Sequence, residues 1–298
     1  MTAVTPGVLA CSVRGCGEAL TRHDRAYRCS HGHTFDVARS GYLNLLQPQD
    51  RRSTAAGDSA AAVSARARLL AHGVGASILA GIVSRAAALD LPPDPVVADL
   101  GCGSGDALAA LAALRPIRGV GIDLSTAAIT HAVKQSAGRS WTDDVVLTWV
   151  VANADRRLPL RDGSVQLVLS LNARRNPAEC ARVLAPDGFL VVAVPASDDL
   201  VELRERVQGT RVTRDRTAGV MDEHAAAFEV VAKDTLRERH TLVGARLRDL
   251  LAGTYRGART SAHGQVSALD ALDVTWAAPA APRQDDRRKK TIDRKSVV

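Results

Sequence analysis

No apolar run in the chain approaches the roughly 18 to 20 uninterrupted residues that a membrane-crossing helix needs, because even the alanine-rich stretches carry Arg, Asp or Ser. That excludes a span built from one continuous helix. The first ten residues also lack the basic start of a secretory signal, so the expected compartment is the cytoplasm. Cysteine is sparse, with five in 298 residues, and in a reducing compartment clustered cysteines hold metal more often than disulfides. Acidic side chains are outnumbered, 32 against 39 basic, for a net charge of +7 that suggests an acidic partner. The distribution weakens that suggestion. Residues 283–298 carry seven basic and three acidic side chains, so +4 of the +7 sits in this tail. The tail has no apolar periodicity, follows an Ala-Pro-rich stretch and is expected to be disordered. Its last six residues resemble translated sequencing adaptor, which places 281–298 outside the expected fold. With 46% hydrophobic residues the rest can build a substantial core.

The last glycine of a dinucleotide fingerprint is missing from the most informative stretch, Val97-Ala-Asp99-Leu-Gly101-Cys-Gly103-Ser104-Gly105-Asp106. It reads as a strand, a tight turn and a helix start, followed about twenty residues on by a second strand ending in Asp123-Leu124-Ser125. Alternate glycines let the backbone approach a ligand, and the acid can accept hydrogen bonds from ribose hydroxyls. A dinucleotide fingerprint wants Gly or Ala where this chain has Asp106. The spacing therefore points to S-adenosylmethionine (SAM), with Asp99, Gly101, Gly103, Ser104, Gly105, Asp123 and Leu124 as candidate contacts.

Three of the five cysteines fall within 19 positions: Cys11 and Cys16, then Cys29 in Cys29-Ser-His31-Gly-His33. The residues between are largely charged and offer no core for buried thiols. Three cysteines and one histidine at this spacing can close a tetrahedral zinc site, with His31 and His33 both eligible as the fourth ligand.

Downstream the pattern alternates. A helical stretch from about Ser59 to Leu89, broken at His72-Gly-Val-Gly75, is ended by Pro92, Pro93 and Pro95. Strands at 96–100, 119–123, 145–151 and 165–171 are separated by helices at about 105–114 and 125–137. Asn176-Pro177 caps a further helix, and 189–194 is another strand. Such alternation specifies an α/β, doubly wound, Rossmann-like domain whose ligand crevice lies at the carboxyl ends of the strands. Asn153 and Asp155 are then candidate adenine contacts, with Ala154 between them in the cofactor-binding set, and Ser170 to Asn172 are candidates to face the substrate. Asp155 and Asn172 are candidates to orient an acceptor, with Asp155 alone able to serve as general base. The division is a zinc-binding ribbon or knuckle at 1–40, a linker at 41–58, the α/β domain at 59–280 and the tail. Two groups of arginines, from Arg204 to Arg216 and from Arg237 to Arg259, could meet a phosphate backbone.

The combination resembles the RlmA and TlrB family of large-subunit rRNA guanine-N1-methyltransferases. The matching residues include Tyr27-Arg-Cys29 with His33-Thr-Phe-Asp36, Gly41-Tyr42, Asn44-Leu-Leu46, Gly57-Asp58, Arg66, Asp99 to Gly105, Gly121 to Ser125, Leu158-Pro-Leu160, Arg175-Asn-Pro177 and Arg182-Val-Leu184. The resemblance implies a class I SAM-dependent methyltransferase domain. Cys11, Cys16, Cys29 and His33 would hold zinc, and Gly103, Ser104, Asp123 and Asp199 would contact or flank SAM. The implied partner is large-subunit rRNA, with no membrane and a homodimer left open; resistance to a ribosome-targeting antibiotic is an implied consequence. The chain departs from the family where Cys11 and Cys16 are four residues apart instead of two. It departs again at Gly73-Val-Gly75, where the family has a tyrosine that meets the cofactor, and at Ala252 to Gly257. Two rival readings are a methyltransferase acting on a small natural product and a non-catalytic zinc and RNA-binding protein.

Overall fold

The computed structural model describes residues 7–50, 57–139, 144–208, 215–253, 271–280 and 295–297. A three-stranded antiparallel ribbon comes first: β1 (Thr21–His23), β2 (Ala26–Arg28) and β3 (Thr34–Asp36). β4 (Leu43–Asn44) follows, then α1 (Ala60–Ala71) and α2 (Ala76–Ala87), separated by the expected glycine break. The alternating part comprises β5 (Val96–Leu100), α3 (Asp106–Ala112), β6 (Arg118–Asp123), α4 (Thr126–Ala137), β7 (Val146–Val151), β8 (Val165–Leu171), α5 (Pro177–Val183) and β9 (Leu184–Ala193). Ser125 and Asn176 cap α4 and α5 through their side chains, as their positions predict. The chain continues through α6 (Val201–Gln208), α7 (Thr217–His224), β10 (Phe228–Val230), β11 (Asp234–Val243), α8 (Gly244–Gly253), β12 (Ala271–Ala280) and β13 (Lys295–Val297).

The main sheet has the order β10-β13-β9-β8-β5-β6-β7-β4, with every recorded pairing in it parallel. β5, β6 and β7 step one way and β8, β9 the other, so the direction reverses between β5 and β8. A crevice at such a reversal is where an open α/β sheet takes its ligand. Side chains alternate across the sheet. Val96, Ala98 and Leu100 join one buried cluster with Val120, Ile122 and Val150, while Val97 joins another with Leu108, Ile129, Leu147 and Trp149. Both faces are covered, which is why these strands read as continuous apolar runs.

The first face is covered in part by the ribbon itself. Leu9, Leu20, Tyr27, Leu43 and Leu45 share its core with Leu158 and Leu160. The contact is also hydrogen-bonded: Ala10 N–H donates to Pro159 O at 2.9 Å, and Arg161 N–H to Val8 O at 2.9 Å. Arg182 holds the receiving strip in place. Its guanidinium donates to Leu158 O, Leu160 O, the Asp162 carboxylate and both oxygens of Glu179.

Two segments differ from expectation. Residues 41–58 are not only a linker, because β4 pairs with β7 and satisfies the backbone groups of an otherwise open edge. In the tail, 281–294 lies outside the described residues, but Lys295–Val297 runs parallel between β9 and β10 and pairs with Phe189 and Leu190. The rest of the tail for which disorder is expected lies outside the described residues. Among the described residues no single helix is long and apolar enough to cross a membrane; α1 and α2 pass only as a pair, bent by 85°.

On the second face the small residues of β6 make room for large ones of β7. A Cβ on Gly121 would lie 2.4 Å from the Trp149 ring, and one on Gly105 2.3 Å from it. Gly121→Ala is accordingly expected to cost about 1–3 kcal/mol through overpacking. In chemical denaturation that cost should shrink when the same substitution is made in a Trp149→Leu background; an unchanged cost would locate the strain elsewhere.

Candidate functional site: a metal ribbon and a cofactor crevice

The ligand atoms of Cys11, Cys16, Cys29 and His33 all lie within 4.8 Å of one another. Cys16 and Cys29 sulfurs are 3.9 Å apart, and His33 Nδ1 stands 3.5 Å from Cys11 Sγ and 3.4 Å from Cys29 Sγ. A tetrahedral zinc with Zn–S near 2.3 Å gives sulfur–sulfur edges of about 3.8 Å, so the donor set fits zinc in both chemistry and spacing. The four-residue gap between Cys11 and Cys16 is accommodated by a turn in which Cys16 N–H donates to Val13 O at 3.0 Å. His33, rather than His31, completes the set. His31 Nδ1 lies 3.4 Å from Cys16 Sγ, outside the four-residue cluster, and is placed to bond to that sulfur. Burial pushes the Cys11 thiol up to about 12, so a bound cation must displace its proton. Four protein ligands would leave no open position, so a metal held here would be structural. The purified protein should hold one zinc per chain by elemental analysis. His33→Ala should lose it and His31→Ala should keep it; the reverse pattern would exchange the two assignments.

The second site lies at the carboxyl ends of β5, β6 and β7. Gly101, Gly103 and Gly105 all have left-handed backbones, with φ of 71°, 54° and 81°, and no atom lies within 4 Å of where a Cβ on Gly103 would stand. At Gly101 the same Cβ would meet Ala173 at 2.4 Å. The turn is fastened to β6 through Asp123, whose carboxylate accepts from Gly103 N–H at 2.9 Å and Ser125 N–H at 2.7 Å. Burial raises the pKa of Asp123, and those two N–H groups oppose the rise. Asp99 is 2% exposed. Its pKa is pushed up to about 8, first by burial and then by the charges of Asp123 and Asp106. Ser104 Oγ–H donates to Asp106 at 2.5 Å.

Three carboxylates around one open glycine turn form a site that repels a pyrophosphate and calls for a cation. The ammonium and sulfonium of SAM meet that demand, so the residues present fit this cofactor. An acid with a folded pKa above its unfolded value takes up a proton on folding. Its stabilising effect is therefore complete below the ordinary 3.8 and is lost as pH rises toward 8. Cofactor-free Asp99→Asn should be more stable than the parent at pH 8.5 by about 1–3 kcal/mol, with the gap closing near pH 4.5. Thermal unfolding across that range is the check, and a gap independent of pH would contradict it.

The remaining sequence candidates are spread along the same edge. Asn153 follows β7; its Nδ2 donates to Asp50 O at 3.1 Å and its Oδ1 accepts from Asp155 N–H at 3.0 Å, which leaves one N–H and one lone pair of the amide for another partner. Leu124 and Ala154 sit directly after β6 and in the loop after β7. Asp155 faces Arg174 at 3.4 Å, which ties the loop after β7 to the loop after β8. Asn172, exposed and left-handed at φ 56°, stands at the tip of β8 on the other side of the reversal. Asp199 follows β9, a strand further from the glycine turn, so the topology sets it apart from Asp123 and Asn153. Gly75 is a left-handed helix cap at φ 87° with open space beside it, and its N–H donates to Glu238. Among the late arginines, Arg256 and Arg259 lie outside the described residues, as do Arg51, Arg52 and Thr254 to Gly257.

One pairing had no signal in the sequence, although Arg175 itself lies in the Arg175-Asn-Pro177 match: it joins Arg175 to the buried His224. Arg175 Nε donates to His224 Nε2 at 3.1 Å, and Arg175 Nη1 donates to Ala173 O at 3.2 Å, bracing the loop that packs on Gly101. His224 Nδ1 lies 2.7 Å from Val220 O, which assigns the ring proton to Nδ1 and leaves Nε2 to accept. Burial and the Arg175 charge lower the pKa of His224, with the Val220 carbonyl opposing them. No spacing rule connects residues 49 positions apart.

A parallel doubly wound sheet, a glycine turn ringed by acids and a four-ligand ribbon define a SAM-dependent methyltransferase with an N-terminal zinc ribbon. Residues 97–188 match a family model described as a methyltransferase domain, and residues 10–54 match one described as RlmA, N-terminal. The 23S rRNA (guanine(748)-N(1))-methyltransferase of Streptomyces fradiae is 37% identical over 226 residues, covering 74% of this chain and 76% of that protein. A Micromonospora griseorubida protein provisionally named a 23S rRNA (guanine-N(1)-)-methyltransferase is 37% identical over 251 residues, 78% of this chain and 80% of its own length. The chain belongs to the 23S rRNA (guanine-N1)-methyltransferase family.

Proposed function

We propose that the protein transfers a methyl group from SAM to N1 of a guanine in large-subunit rRNA. The observation that carries this reading is the joining of the zinc ribbon to the methyltransferase sheet by one shared core, in a chain with 37% identity to a named enzyme of that activity. A small-molecule enzyme has no need of a ribbon fixed beside its crevice. When bound, the cofactor supplies an activated methyl on a sulfonium. The protein's task is then to align acceptor nitrogen, methyl and sulfur, an orientation effect potentially worth several kcal/mol.

In this reading Asp99 would face the cofactor ammonium, and the Gly101–Gly105 turn would let the backbone approach. Asp123, whose carboxylate holds Gly103 and Ser125, would accept from the ribose hydroxyls with its other lone pairs, and Leu124 and Ala154 would line the adenine. The guanine enters on the β8 side of the reversal, unpaired or flipped, because N1 carries a proton and is used in Watson–Crick pairing. Methyl transfer forms the N1–C bond and breaks the C–S bond, leaving S-adenosylhomocysteine. The N1 proton must go to a base. We assign that role to Asp155, whose position after β7 supports it, and the orienting role to Asn172 at the tip of β8.

Purified protein with SAM and ribosomal RNA should yield one methylated guanine by mass mapping and a stop in reverse transcription at that position. Asp155→Asn should lower the rate at least tenfold with SAM affinity retained. No methyl incorporation into any rRNA, with SAM bound normally, would sink the reading. Activity on a free small molecule that survives deletion of the ribbon would replace it, and absence of SAM binding would favour a non-catalytic RNA-binding protein.

A further inference from the structure

We propose that Asp58 and Arg66 are positioning residues for the cofactor, forming a link that holds the Asp123–Ser125 turn in register and ties it to the end of α8. The inference rests on the reading of the β6 tip as the cofactor's ribose site. It starts from Ser125, which is 1% exposed and is used three times. Its N–H donates to Asp123 Oδ1 at 2.7 Å, its Oγ accepts from Ala128 N–H at 3.1 Å, and its hydroxyl donates to Asp58 O at 2.6 Å. The segment carrying Asp58 presses directly on this turn: a Cβ on the left-handed Gly57 would stand 2.7 Å from Ser125 N and Cα. Any shift of Asp58 is therefore felt at the Asp123 carboxylate.

Asp58 is itself held by Arg66 of α1, Nη2 to Oδ2 at 2.5 Å. The other arm of the same guanidinium, Nη1, donates at 3.0 Å to the carbonyl of Gly253, the last residue of α8. That carbonyl has no intrahelical partner among the described residues, and a cation at the C-terminal end of α8 is favourably placed against the dipole. The packing there is close, since a Cβ on Gly253 would lie 2.9 Å from Arg66 Cγ. A continuous path thus runs from α8 through Arg66, Asp58 and Ser125 to Asp123 and on to Gly103. Both charges of the pair also act on the Asp123 pKa, Asp58 raising it and Arg66 lowering it. The pair is partly exposed, with side-chain exposures of 38% for Arg66 and 47% for Asp58, so its removal costs the fold little. Its consequence falls on the geometry of the acid.

Titration calorimetry of the full-length protein with SAM, without RNA, tests the link separately from the choice of acceptor. Asp58→Asn and Arg66→Gln should each weaken SAM binding about tenfold, and the double variant should bind no more than about twofold worse than either, because the pair acts as a unit. Arg66→Lys should recover most of the loss. Midpoints of thermal unfolding without cofactor should stay within about 2 °C of the parent. Single variants that bind SAM within twofold of the parent would overturn the proposal. So would losses that multiply in the double variant, or losses matched by a falling unfolding midpoint. A parent protein that binds no SAM would overturn the cofactor reading itself, a result the variants cannot mimic.

Discussion

The indole of Trp149 is the piece on which the cofactor edge depends. It is buried on the second face of the sheet, and both Gly105 and Gly121 are flush against it, where any side chain would collide. A parallel sheet brings β6 beside β7 in a fixed register, with Gly121 opposite Trp149. The large ring then fills the space that two missing side chains leave open, and α3 can begin close to the sheet. Packing at crystal-like density leaves no slack for a different arrangement. The glycine turn is thus doubly determined: its left-handed backbone needs glycine for conformation, and the neighbouring strand needs glycine for volume.

On this frame the two ends of the site have opposite electrostatic characters. The crevice gathers Asp99, Asp106 and Asp123 with no compensating cation at Asp99, a costly arrangement in a buried place unless a positive ligand relieves it. The ribbon solves a different problem. A segment this small cannot bury enough surface to fold alone, and it combines a metal cluster with a borrowed core. Arg182 makes that borrowing possible by fixing the Leu158–Leu160 strip, against which Val8 and Ala10 pair.

Local rules read most of the elements correctly. Ser125 and Asn176 announce helix starts because a short polar side chain satisfies free N–H groups, and the helical break before Gly75 follows from glycine's left-handed freedom. The cysteine spacing reached the right ligand family but left His31 and His33 equal. The family resemblance pointed to His33, and the path of the turn brings that imidazole, not His31, to face Cys11 and Cys29. The amide of Asn153 closes a turn with Asp155 and Asp50, a link that its place after β7 did not announce.

What the sequence determined by itself was the chemistry available: a cation-binding quartet, an acid-flanked glycine turn, and an α/β alternation that places the turn at a strand edge. Periodicity, capping and ligand type are properties of neighbours in the chain, so they survive without coordinates. The tertiary structure alone decided that residues 43–44 and 295–297 join the main sheet, that Arg175 meets His224, and that Arg66 connects α8 to Asp58. Each of these joins backbone or charged groups tens to hundreds of positions apart. Such partners are chosen by which edges and buried donors remain unsatisfied once the sheet has formed, and no local pattern encodes that remainder.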